Sequence, residues 1–273
     1  MNNDLLVAAR SAAAKPKPDM GESLQQYTSA RVSLGRAGSA IPTREQLRFQ
    51  LDHALARDAV HAQLDVTTML RGLEQRQMDC IALRSAVGAA PGDLRQLYLR
   101  RPDLGRTLSP DSRERLVQSA AGAAKDPDAV FVIADGLSAL AVERHALPLL
   151  DAVLALTKYF HPEAQWNIGP VSVVSQGRVA IADEIGELLR AKLSIVLIGE
   201  RPGLSAPDSL GVYITWNPRP GRTDAERNCI SNIRHDGLNY IDAANRIAYY
   251  MNEAKRLQAT GVMLKEKIGR AHV

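Results

Sequence analysis

The sequence predicts an α/β fold: a Rossmann-like, mostly parallel sheet domain preceded by a helical N-terminal region. Three observations carry that reading. Leu193–Gly199, LSIVLIG, is a short and almost wholly apolar run, the pattern of a strand covered on both faces. Ala129–Ala134, AVFVIA, is a second such run, and it ends in Asp135, Gly136, Leu137 and Ser138 just ahead of a helical stretch from Ala139 to Leu156. Further strand patterns at Val171–Ser175 and Leu210–Trp216 alternate with helical ones, as βαβ units do.

In chain order, the leading residues hold a short apolar pattern, Leu5 to Ala8, followed by AAAKPKPDMGES, whose alternating Lys and Pro make a flexible linker. From Leu24 to Leu83 the pattern is helical. Leu47, Leu51, Leu55, Val60 and Leu64 recur on one side, and Arg44, Glu45, Arg48 and Arg57 occupy the other. Before it, the glycines and proline of SLGRAGSAIPTR break any helix, and Thr43 is the N-cap candidate. Asp52, His53, Asp58 and His61 stand at mixed helical phases, which favours surface and partner contacts over metal ligation. Residues 84–127 are less regular, and YLRRPDLGRTLSP, with Arg100, Arg101 and Arg106, joins the helical part to the alternating second half. Beyond Ser175 the pattern gives a short extended piece at Val179–Ile181, a helix over Ala182–Arg190 and the strand Leu193–Gly199. A polar loop then leads to Cys229–Ile233, and a long helix from Tyr240 to about Lys267 closes the chain. The expected division is a flexible tail at 1–26, a helical region at 27–125 and a sheet domain at 126–273.

In an open α/β sheet, ligands bind beyond the carboxyl ends of the strands. The loop GERPGLS after the strand Leu193–Gly199 is therefore the first candidate site. Pro202 fixes one dihedral there, and Gly199 and Gly203 permit positive φ or close approach.

Composition narrows the function classes. The chain of 273 residues is 45% hydrophobic and 23% charged, ordinary for a globular protein. Aromatics are only 4%, which argues against binding nucleic acid by base stacking, and a net charge of +4 is small for this length. No apolar run reaches the ~20 residues of a membrane span, and no signal pattern opens the chain. The expectation is a cytoplasmic protein with Cys80 and Cys229 reduced. No paired-cysteine or HExxH metal site, dinucleotide glycine fingerprint, P-loop or G-x-S-x-G elbow is present. None of the six histidines stands in a D-x-H-x-x-G cobalamin motif. By themselves the residues stop at a ligand-binding α/β domain, with one subunit of a larger enzyme among the readings.

Six segments in this order, SLGRAG, YLRRPDLGR, VFVIADGLSA, GRVAIADEIGELL, VLIGERPGLS and ERNCISNI, resemble the light (small) subunit of ethanolamine ammonia-lyase over roughly residues 30 to 265. The resemblance implies a heavy-subunit partner that holds the substrate, and adenosylcobalamin enclosed between the two chains, its cobalt carried by the cofactor. It also implies radical deamination of ethanolamine to acetaldehyde and ammonia. The family keeps the cofactor's own base on cobalt, which accounts for the missing D-x-H-x-x-G. No catalytic residue is then expected on this chain. The positions matching the family's cofactor contacts are Val179 in GRVAI, Glu200 in GERPG and Cys229 in NCISN. Glu200 would accept from corrin amides, Val179 would offer apolar contact, and Cys229 would serve as a packing or backbone contact rather than a nucleophile. On this reading residues 27–125 contact the heavy subunit, 126–273 bind cobalamin, and the assembly is a hetero-oligomer without nucleic-acid or membrane partners. Some relatives are housed in bacterial microcompartments, but the region before Tyr27 is short and poorly matched, which leaves packaging open. The alternatives are a stand-alone cobalamin- or nucleotide-binding protein and, against the missing fingerprint, a nicotinamide enzyme.

Overall fold

The computed structural model describes residues 24, 27–28, 30–89, 94–122, 125–159 and 166–265. The apolar pattern at Leu5–Ala8, nearly all of the 1–26 tail, and Lys267 lie outside the described residues. The chain divides between Asp52 and His53 into two units. In the first, Ala37 and Ala40 close a tight bridge, and Arg31 pairs with Asp52 at 2.5 Å while lying 5.3 Å over the Phe49 ring.

Apolar alternation builds the sheet of the second unit. In β2 (Ala129–Ala134), Phe131 and Ile133 enter one core while Val130, Val132 and Ala134 enter another, as the two-residue period of an extended chain requires. β4 (Leu193–Gly199) splits the same way, with Ile195 and Leu197 on face one and Val196 and Ile198 on face two. With β1 (Cys80–Arg84), β3 (Val171–Ser175), β5 (Leu210–Trp216) and β6 (Arg227–Ile233), the strands lie in the order β1-β3-β2-β4-β5-β6. The first four are parallel, whereas β5 and β6 run antiparallel.

Face one is covered by α2 (Val66–Glu74), α5 (Ala139–Tyr159) and α7 (Tyr240–Leu257), which seat Leu73, Leu149, Leu150, Ile247 and Met251 in the core. Face two is covered by α4 (Pro110–Ala121) and α6 (Ile181–Leu188) through Leu116, Ile181 and Ile185. Each such side chain contributes roughly 1.5–3 kcal/mol of burial. Two further helices are α1 (Thr43–His61), ahead of α2, and α3 (Leu94–Arg100), between β1 and α4. The architecture is the mixed α/β fold with a helical N-terminal stretch that the sequence predicts.

Several local expectations differ. Cys80–Arg84 falls at the end of the stretch read as helical, yet it is the parallel edge strand on β3; the sheet thus reaches back past residue 126. The Leu193–Gly199 strand leads not to a helix but into antiparallel β5, so its loop opens no helix of its own. Val179 and Ala180 form the turn into α6 rather than an extended piece. α7 stops at Leu257, where Gln258 takes left-handed backbone. The stripe expected to face a core, Leu47, Leu51 and Leu55, is 59%, 59% and 48% exposed, and α1 buries Ala56 and Ala59 instead.

Candidate functional site at the carboxyl edge of the sheet

Two glycines bring the strand ends together. Gly136 follows β2 with φ +54°, and a Cβ on it would stand 2.2 Å from the Gly199 carbonyl oxygen. A Cβ on Gly199 would stand 2.0 Å from the Ser138 oxygen. The Leu137 N–H donates to the Gly199 carbonyl at 2.9 Å, so the turn after β2 is fastened to the end of β4. Gly203 has neither positive φ nor a close neighbour, and its small size serves no such purpose.

The chain leaves β2 toward face one and β3 toward face two, which opens a crevice between them where doubly wound proteins bind nucleotides. Here side chains of α3 fill it. Arg95, 3% exposed, donates from Nε to the Val60 carbonyl at 2.6 Å and from Nη1 to the Gly136 carbonyl at 3.1 Å, and lies 3.6 Å from Asp135. The Tyr98 hydroxyl donates to the Gly177 carbonyl at 2.8 Å, and the Arg178 guanidinium stacks 4.2 Å over the Tyr98 ring. Burial pushes the Asp135 carboxyl up to about 6, against the pull of backbone N–H groups and Arg95. The filled crevice gives a physical reason, beyond the missing fingerprint, against a nicotinamide cofactor at the switch point.

The three sequence-predicted contacts converge instead on face two. Val179 is partly exposed in the β3–α6 turn and packs on the face-two core, as does Tyr213 of β5. Glu200 follows β4 directly. Its Oε2 accepts from Ser209 Oγ at 2.5 Å and from the Asn232 N–H at 3.2 Å, and its Oε1 accepts from Ser231 Oγ. A register shift in the β5–β6 ladder and the left-handed backbone of Asn232 (φ 61°) aim those two β6 donors at the carboxylate. Cys229 pairs across the ladder with Tyr213. The Cys229 side chain is open to solvent on one side, yet burial of its sulfur and the nearby Glu200 charge raise the thiol pKa, opposed by the Tyr213 hydroxyl's hydrogen bond. Burial, with Cys229 beside it, likewise raises Tyr213. A thiol so placed is a poor nucleophile.

Glu200, Tyr213, Cys229, Ser209 and Ser231 therefore form one cluster, and Val179 reaches the same face from two strands away. The strands feeding the three candidates lie up to four strand spacings apart, roughly 19 Å. Past the buried Arg227–Asp183 pair (2.7 Å), which ties the start of α6 to β6, no described helix packs over face two of β5 and β6. A carboxylate has about four acceptor positions, and three of Glu200's are taken within the chain, which leaves about one for a ligand donor. Ser209, Tyr213 and Ser231 escaped the sequence reading because only the hairpin and its shifted register bring them to Glu200. Arg95, Tyr98 and Asp135 escaped it because their partners lie 35 to 81 residues away. The only signal was that Tyr98, Asp135 and Arg178 stand inside the distinctive segments.

The family model described as ethanolamine ammonia-lyase light chain (EutC) matches residues 18–265. The ethanolamine ammonia-lyase small subunit of Pseudomonas aeruginosa (strain LESB58) is 55% identical over 244 residues, covering 89% of this chain and 86% of the relative. The small subunit of Azotobacter vinelandii is 51% identical over 246 residues, covering 90% and 88%. That of Xanthomonas campestris pv. campestris (strain ATCC 33913) is 48% identical over 260 residues, covering 95% and 92%. With the distinctive segments of the carboxyl edge inside the matched span, the chain belongs to the ethanolamine ammonia-lyase light-chain family.

Proposed function

We propose that this chain is the light subunit of an adenosylcobalamin-dependent ethanolamine ammonia-lyase, with Val179, Glu200 and Cys229 against the cofactor and the heavy subunit closing over it. The observation that carries the reading is the delivery of these three residues, from strands up to about 19 Å apart, to the carboxyl edge of face two, over whose β5 and β6 strands no described helix packs. A surface that wide, partly apolar and edged by hydroxyls and one carboxylate suits a broad ligand with amide groups at its rim. The donor set fits: Glu200 retains about one acceptor position for an amide N–H, Val179 supplies apolar contact, and the un-ionised Cys229 thiol packs without reacting. When bound, the cofactor supplies the radical chemistry that releases ammonia. Val179, Glu200 and Cys229 would hold and orient it and would exclude water where they pack against it.

The exposed stripe Leu47, Leu51 and Leu55 supports the partner: apolar positions one helical turn apart on a solvated helix mark an interaction surface. Residues 27–125 then face the heavy subunit and 126–273 carry the cobalamin-binding surface, a functional division that the sheet itself crosses at β1. Among the described residues no helix is long and apolar enough to cross a membrane; the proposed setting is the cytoplasm, with packaging in a microcompartment depending on the residues before Tyr27. The test is ammonia release from ethanolamine by this chain, the heavy chain and both, each with and without adenosylcobalamin. Release confined to the pair with cofactor is the expected outcome, and turnover by this chain alone refutes the reading.

A further inference from the structure

Beside the proposed cofactor surface lies a cleft of about 480 Å³ over the carboxyl ends of β2, β3 and β4. Its polar lining is wholly basic: His53, Arg57 and His61 from α1, Arg178 after β3 and Arg201 after β4, with no carboxylate among the lining residues. Asp135 is fully buried against Arg95, and Asp58, on the exposed rim, pairs with Arg57 at 3.3 Å. Arg178 is held in place, stacked on Tyr98 with Nη2 donating to the Tyr98 carbonyl at 3.4 Å, which lowers the ordering cost of binding through it. Arg201 is exposed and makes no hydrogen bond or ion pair among the described residues.

Arg178 and Arg201 are paired guanidiniums with no ion pair among the described residues, a phosphate-recognition arrangement, and Arg57 adds a charge that it shares with the exposed Asp58. Two of these arginines also adjoin the proposed contacts, since Arg178 precedes Val179 and Arg201 comes directly after Glu200. The cleft is of small-ligand size, and it fits a phosphate with its sugar rather than a whole corrin. We infer that the Arg57–Arg178–Arg201 cleft binds a phosphate group, and that its source is the phosphodiester in the nucleotide tail of the cobalamin bound alongside. The choice of source rests on the proposed function; the anion site does not.

Two arms test this. In the first, the complex with the heavy subunit is titrated with adenosylcobalamin, adenosylcobinamide phosphate and adenosylcobinamide, which lacks the phosphate, for the wild type, Arg201→Gln and Arg57→Gln. Loss of about tenfold in affinity for the two phosphate-bearing corrinoids, with adenosylcobinamide unchanged, is expected. Equal losses for all three, or none, overturn the assignment, as does a defect confined to subunit assembly, which would give these arginines to an acidic segment of the partner. In the second, the full chain is titrated with inorganic phosphate and monitored by NMR. Saturable shifts around Arg178 and Arg201, weakened in Arg201→Gln, uphold the anion site even if the complex takes up no corrinoid, whereas their absence overturns it. Saturable phosphate binding with wild-type corrinoid affinities in the variants assigns the cleft to a free phosphate or nucleotide and overturns the cofactor as source.

Discussion

Replacing Glu200 separates a ligand contact from a structural clasp. Its carboxylate receives the hydroxyls of Ser209 and Ser231 and the N–H of Asn232, which holds the β4–β5 connection and the shifted end of β6 to one point. In Glu200→Ala, Ser231 and Asn232 are exposed and can turn to water, whereas Ser209 is only 6% exposed and loses its partner. One buried donor left unsatisfied costs about 1–3 kcal/mol, the expected fall in folding stability. The ligand side is worked separately. One remaining acceptor position on a charged group is worth about 1.5–3 kcal/mol, which weakens adenosylcobalamin binding by the assembled enzyme roughly 10- to 150-fold. Glu200→Gln keeps one acceptor oxygen and lets both serine hydroxyls reorient, so its losses fall well below those of alanine. Denaturant melts of the chain and absorbance titrations of the complex read the two effects. A stability loss with unchanged cofactor affinity would reduce Glu200 to a clasp and remove it from the site.

Three further outcomes are expected of the same structure. Asp135 titrates near 6 in the folded chain against 3.8 in the unfolded chain, so its protonation stabilises the fold below pH 3.8 and that contribution is lost as pH rises through 6, by about 3 kcal/mol in all; Asp135→Asn should flatten this part of the stability–pH curve, and an unchanged slope contradicts it. Gly199→Ala places a methyl 2.0 Å from the Ser138 carbonyl and 2.6 Å from that of Asp135, in a region where backbone rather than side chains must move; a loss of at least about 3 kcal/mol in a thermal melt, or insoluble protein, is expected. Leu51→Gln with Leu55→Gln alters exposed positions only and should shift stability by less than about 0.5 kcal/mol per site while abolishing co-elution with the heavy subunit; retained co-elution would place the interface elsewhere.

How much was legible in the sequence depends on where its residues lie. AVFVIA and LSIVLIG form strands where their patterns place them, because strands covered on both faces are apolar almost throughout and so announce themselves, and LGVYITW forms one through its alternation. Cys80–Arg84 did not announce itself. It is a short edge strand with one fully buried residue, and it comes directly after a helical pattern. The leucines of α1 show the limit of periodicity, since a stripe made for a partner reads the same as one made for a core. The antiparallel return into β5 was equally hidden, because an apolar strand reads alike in either direction, and with it went the Ser209–Ser231–Glu200 cluster. Glu200 and Cys229 were legible as residues of distinctive segments. That they meet through Tyr213 depends on strand register, which no local pattern in this chain encodes.

The central claim is that the carboxyl edge of face two, from Val179 across Glu200 to Cys229, is the floor of the cofactor site. Hydrogen–deuterium exchange of the complex with the heavy subunit, with and without adenosylcobalamin, tests it most directly. The account predicts added protection at residues 177–181, 199–203 and 228–233 and none on α7, which covers the opposite face. Cofactor-dependent protection that spares those three segments would contradict it.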